Sequence, residues 1–130
     1  MELKDCVREF VKARDAISRT LVEHSEQGDV LTFTHKHKVH HFLVSEELVV
    51  PKARDCFTVA CLNTRRNLEF LVEHWEEFLQ EKLSVLFVHP SSGAVWKVSP
   101  LLHASVSDPK NLRKGLESLF SQVPEVSDSA

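Results

Sequence analysis

Leu3, Val7, Phe10, Ile17 and Leu21 fall on one side of a helical wheel, and Val11 and Ala13 widen the stripe. Lys4, Arg8, Glu9, Lys12, Arg14, Asp15 and Arg19 lie mostly off it. This recurrence predicts an amphipathic helix over about residues 2–24. Ser25-Glu26-Gln27-Gly28 is its expected stop, because glycine accepts a positive φ. The period then shortens to two. Val30, Leu31 and Phe33, followed by His40, Phe42 and Val44, predict a hairpin within 29–50 that turns near residues 34–38. Pro51 argues against a continuous central strand there.

Phe57–Leu62 and Leu83–Val88 are apolar on both faces, as expected of central strands covered on two sides. Between them Leu68, Leu71, Val72, Trp75, Phe78 and Leu79 trace a helix over about 65–81, for which Asn63 or Thr64 is a cap. Ala94–Ser99 returns after the turn at His89–Gly93, with Val95, Lys97 and Ser99 on one face and Trp96 and Val98 on the other. Asp108-Pro109 opens a last helix, carried by Leu112, Leu116, Leu119 and Phe120 to about residue 121. The expected fold is α/β (or α+β). It is one domain over 1–123, with a mixed sheet of about five strands, a right-handed β-α-β crossover and three helices. Residues 124–130 read as a flexible tail. The expected core includes Phe10, Ile17, Val59, Leu71, Trp75, Phe78, Leu86, Leu116 and Phe120.

Composition narrows the class. The 130 residues are 42% hydrophobic and carry a net charge of −3, which is wrong for a domain built to blanket a phosphate backbone. The apolar runs are far shorter than a membrane helix needs, and the charged N-terminus lacks a signal core. Cys6, Cys56 and Cys61 form an odd set without metal spacing, which suits free thiols in a reducing compartment. A cytoplasmic protein with no cofactor is the expectation.

Two candidate sites stand out. Asn63, Thr64, Arg65 and Arg66 sit where a buried strand meets a helix N-terminus, so amides and guanidinium groups favour an anion or phosphate. The same residues also read as ordinary caps and solvated charges. His35, His37 and His40, with His41 beside them, are the candidate metal ligands. Lys36 and Lys38 oppose a cation there, and a solvated hairpin explains the same histidines. Glu46, Glu47 and Asp55 are acids expected to gather near one sheet edge. No glycine-rich phosphate loop or serine elbow is present, and no residue is assigned a catalytic role.

The order helix, strands opening with a hairpin, helix, strand resembles the core of the restriction-endonuclease-like superfamily over about residues 3–88. That superfamily's pattern is PD-(D/E)xK. The resemblance places its second-strand acid at Glu46 or Glu47, and it requires an acid-x-lysine on Phe57–Leu62, where this chain has none. It therefore implies a degenerate member without nuclease chemistry. Two functions follow. The first is a non-enzymatic binding or assembly module that self-associates as a homodimer, with Leu101, Leu102 and Trp96 as surplus apolar surface. The alternative is a nucleic-acid-associated protein, for which Arg8, Arg14, Lys52, Arg54, Arg65 and Arg66 would line one basic surface. A small anionic ligand fits either, and a membrane fits neither.

Overall fold

The structure, a computed structural model, describes residues 2–53, 55–106 and 108–126. The chain runs α1 (Leu3–Ser18), β1 (Leu21–Gln27), β2 (Val30–His35), β3 (Val39–Val44), β4 (Cys56–Leu62), α2 (Arg65–Glu73) and a 3-10 turn at Trp75–Phe78. It continues through β5 (Leu83–His89), β6 (Ala94–Val98), α3 (Pro100–Val106), a second 3-10 turn at Pro109–Asn111, and α4 (Leu112–Ser121). The strands form one six-stranded mixed sheet in sequence order, β1 to β6. β1, β2 and β3 are antiparallel, β3, β4 and β5 are parallel, and β6 returns antiparallel to β5. Phe57–Leu62 is thus interior and parallel to Leu83–Val88, as its two-faced apolarity requires. Among the described residues no helix is long and apolar enough to cross a membrane.

Each sheet face has its own core. Leu3, Cys6, Val7 and Val11 of α1 pack on Leu31, Phe33, Phe42, Val44, Ala60, Leu86 and Val88. The other face buries Val59, Cys61, Val85, Phe87, Trp96 and Val98 under Leu68 and Leu71 of α2, Phe78, and Leu116 and Phe120 of α4. Phe87 and Trp96 stack with ring centroids 4.2 Å apart. Parallel strands are usually bridged by a helix. Here β3 reaches β4 through a loop instead, anchored by buried Leu48.

Several expectations change. The first helix stops at Ser18, and Arg19 adopts the left-handed region at φ 52. Asp15 Oδ1 accepts the N–H groups of Thr20 at 2.8 Å and Leu21 at 2.9 Å, which turns the chain out of the helix. The segment expected to finish the helix pairs with β2 as β1, and Gly28 (φ 61) begins the two-residue turn between them. That is the position where a type II′ hairpin requires glycine. Ile17, placed past the covered part of the sheet, is 91% exposed rather than buried. Phe10 and Trp75 are half-buried. The second helix breaks at His74, and Pro100 begins an additional helix that strand punctuation had hidden, so the described residues form four α-helices rather than three. Pro124–Val126, expected in the loose tail, are held to β4: Val126 N–H donates to the Asn63 carbonyl at 2.8 Å. Residues 127–130 lie outside the described residues.

Truncating the fully buried Phe78 to alanine is expected to cost about 3–5 kcal/mol in urea unfolding. Ile17→Ser should stay within about 0.5 kcal/mol of the parent protein. A comparable loss for both would place Ile17 in the core after all.

Candidate functional site

The amino end of α2 is where the sequence points first, and its groups are already engaged. Thr64 caps the helix, its hydroxyl accepting the Asn67 N–H at 3.1 Å. Asn63 is fully buried. Its Oδ1 accepts the Trp96 indole N–H at 2.7 Å, and its Nδ2 donates to the carbonyls of Val123 and Pro124, each at 3.1 Å. Arg65 pairs with Glu117 and lies over the Phe120 ring, 4.7 Å from its centroid. Arg66 pairs with Glu47 at 3.0 Å. Asn67 accepts the Leu48 N–H and donates to the carbonyls of Glu46 and Leu62. These four candidates therefore join β4, β6, the β3–β4 loop and the C-terminal segment; Asn63 and Thr64 are buried, whereas Arg65 and Arg66 are exposed and paired with acids.

The histidines divide. His35 and His40 border one cleft, whereas His37 is exposed on the hairpin turn and His41 faces the opposite side of the sheet, against Asp55 and Phe57. His35 Nδ1 lies 3.0 Å from Thr20 Oγ1, and His40 Nε2 lies 2.8 Å from Thr58 Oγ1. Among the described residues no three His, Cys, Asp or Glu side chains converge to hold a metal ion. The acids also separate. Glu46 and Glu47 follow the carboxyl end of β3 while Asp55 precedes β4, and parallel pairing sends those positions to opposite ends of the sheet.

That cleft, between α1 and the sheet, has a volume of about 470 Å³. Its origin lies in strand phase. Across the α1 face, Phe42, Thr58 and Ser84 are register partners in turn, and Leu86 pairs with Lys97. Side chains two apart share a face. Hence His40 shares Phe42's face, Thr58 shares that of Ala60, Ser84 that of Leu86, and Lys97 that of Val95. At the amino ends of the parallel strands the α1 face is therefore polar, while farther along it is apolar and covered. Arg14 and Asp15 of α1 close the cleft from above, with Lys38 on the hairpin and Lys97 on the open edge strand, and Phe10 and Val11 of α1 with Phe42 of β3 form its apolar lining.

The electrostatics are one-sided. Arg14, Lys38 and Lys97 are cationic, and among the described residues none of the three forms an ion pair. Asp15 is the only carboxylate in the lining. Partial burial would raise its pKa, but the N–H groups of Leu21 and Thr20, the Ser18 hydroxyl and nearby His35 hold it below the ordinary range. Lys97 keeps solvent access, yet the protein around its ammonium, then Arg14 and Lys38, push its pKa below that of an ordinary lysine. Burial first, then Lys97, Lys38, His35 and His41, drive His40 down to about 3, so its ring is neutral at pH 7. A base that weak does not activate the Thr58 hydroxyl beside it. The cleft is equipped to hold negative charge rather than to move protons.

Cys61 is fully buried, and burial raises its thiol pKa well above the ordinary value, which leaves it unreactive. Trp96 is buried too, so Leu101 and Leu102 alone remain exposed of the surplus apolar residues. Arg8 and Arg14 belong to α1 and Arg65 and Arg66 to α2, on opposite faces of the sheet. Lys52 is on the β3–β4 loop, and Arg54 lies outside the described residues. No spacing in the sequence groups Arg14, Lys38 and Lys97. A signal existed in the polar residues that interrupt β3, β4, β5 and β6 in phase, but only the register aligns them. Compared with protein-family models, curated proteins and solved structures, the chain gives no significant match to any of them.

Asn63→Ala would leave the Trp96 N–H and the Val123 carbonyl without partners, and should cost about 2–4 kcal/mol. Urea unfolding measures the loss; a change below about 1 kcal/mol would mean that the amide is dispensable. The His40 shift gives a separate expectation. Its folded pKa lies below the unfolded value of about 6.5, so its contribution is full above pH 6.5 and is lost as pH falls toward 3. Between pH 6 and 4 the parent protein should lose up to about 1 kcal/mol per pH unit more than His40→Gln, the full slope being reduced by the ring's partial solvent access. Parallel stability curves for the two proteins would refute this.

Proposed function

We propose that the chain is a non-enzymatic binding module whose cleft under α1 takes a small anion, a phosphate or a carboxylate. The observation that carries this is the convergence of Arg14, Lys38 and Lys97 on one cavity whose single carboxylate, Asp15, already accepts backbone N–H groups. Three cations against one carboxylate leave the cleft positive in a chain of net charge −3. Like charges held together repel, and an anion placed among them relieves part of that repulsion while attracting all three. Arg8, Arg66 and Arg113, by contrast, each lie against the protein's own acids: Arg8 against Asp5 and Glu26, Arg66 against Glu47, and Arg113 against Glu69. The division of the arginines between two sheet faces weighs against a continuous track for nucleic acid. The cleft is complete within one chain, so this function does not call on the homodimer expected from the sequence.

Titration of the isotope-labelled protein with inorganic phosphate and with acetate tests the proposal. Amide and side-chain resonances of Arg14, Lys38, Lys97 and His35 should shift together, with affinity falling as salt rises. Lys97→Ala and Lys38→Ala should each weaken binding about three- to tenfold, and Arg66→Ala should leave it unchanged. Shifts centred on Arg65 and Arg66, or no saturable shifts at all, would overturn it.

A further inference from the structure

The cleft has a neighbour. A second hollow of about 640 Å³ runs along the flank of α1 beside the β5–β6 turn, lined by Cys6, Glu9, Phe10, Ala13, Ile17 and Gly93, and it shares Phe10 and Arg14 with the cleft. The two hollows thus meet at one pair of side chains. Arg14 lies across the Phe10 ring, 5.2 Å from its centroid, so this pair joins a charged rim to an apolar surface. The second hollow is mostly hydrocarbon. Its most exposed apolar member, Ile17, is 91% exposed, and nothing among the described residues covers it. Gly93 (φ 77) meets it without a side chain, and a Cβ there would have no heavy atom within 4 Å, so the hollow is open on that side. Glu9 is its only acid.

Resting on the anion-binding function above, we propose that the ligand is an anionic amphiphile with a single acyl chain, its head group held by Arg14, Lys38 and Lys97 and its chain laid along α1 over Phe10, Ala13 and Ile17. Charge fixes the direction. The head group meets three cations at one end, whereas Glu9 repels it from the other. Covering Ile17 and Phe10 removes apolar surface from water on both partners, and that is the source of the additional affinity.

The test is a chain-length series on the full protein, measured calorimetrically below the micelle concentration of each compound. Acetate, hexanoate, octanoate and decanoate are compared with inorganic phosphate and with decanol. Full burial of each methylene would tighten binding about fourfold. The second hollow is open on one side, so about two- to threefold per methylene is expected. Ile17→Ser with Ala13→Ser, both exposed positions, should flatten this dependence and leave phosphate affinity unchanged. Lys97→Ala should weaken every anion and keep the chain-length dependence. Phosphate binding in the cleft with acetate and decanoate equally weak would overturn the acyl-chain inference and leave the anion site standing. Chain-length dependence that survives the double serine variant would overturn the second hollow as its location. Decanol binding as tightly as decanoate, with no phosphate binding, would overturn both.

Discussion

Two buried side-chain amides hold the carboxyl end of this sheet together. Asn63 ties β4 to the Trp96 indole and to the C-terminal segment, and Asn67 ties the helix above it to the β3–β4 loop. A buried amide without partners is costly, so its partners are constrained to remain. Among the described residues every buried side-chain nitrogen and oxygen has one. The unusual helix-free connection between two parallel strands depends on this arrangement. Gln80 completes it, accepting the Ala53 N–H and donating to the Pro51 carbonyl, each at 2.9 Å.

This constraint also decides which parts of the sheet surface stay open. Open α/β sheets usually bind at the carboxyl ends of their strands, next to helix N-termini. Here the C-terminal segment and the paired arginines occupy the helix-side part of that position. The wide hollow that remains at this end, about 980 Å³, is bordered by Glu2, Asp29, Glu46, Glu47 and Glu125, an acidic lining that repels anions. The positive cleft lies on the α1 face at the opposite end of the strands. Its polar residues are tolerated in the sheet because the apolar half of α1 does not reach them.

Much of the fold was legible in the sequence. Period-two segments located β2 and β3, two-faced apolar runs located β4 and β5, and the Leu68–Phe78 stripe located the helix between them. The first helix was misread at its end because Leu21 continues the helical phase of Ile17. Helical phase lost to strand pairing: β1 gains a full ladder against β2, whereas a longer helix would project beyond the covered sheet. Asn63 was legible as a capping residue, but its long-range partners at Trp96 and Val123 were not, nor was the Leu48 partner of Asn67.

The sequence by itself determined the class of protein and its layers, because periodicity reports which face of each element avoids water, and that property is local. It also supplied the chemistry of each candidate group. Which groups meet was decided only by the tertiary structure. Arg14, Lys38 and Lys97 are separated along the chain and share no spacing rule; they converge because strand register brings β3 and β6 into phase and α1 crosses above them. Likewise Arg65 and Arg66 have the composition of an anion site, and the folded chain supplies Glu117 and Glu47 as their partners instead. Charge is a property of a residue, whereas an unpaired charge is a property of its neighbours, and neighbours distant in sequence are set by packing.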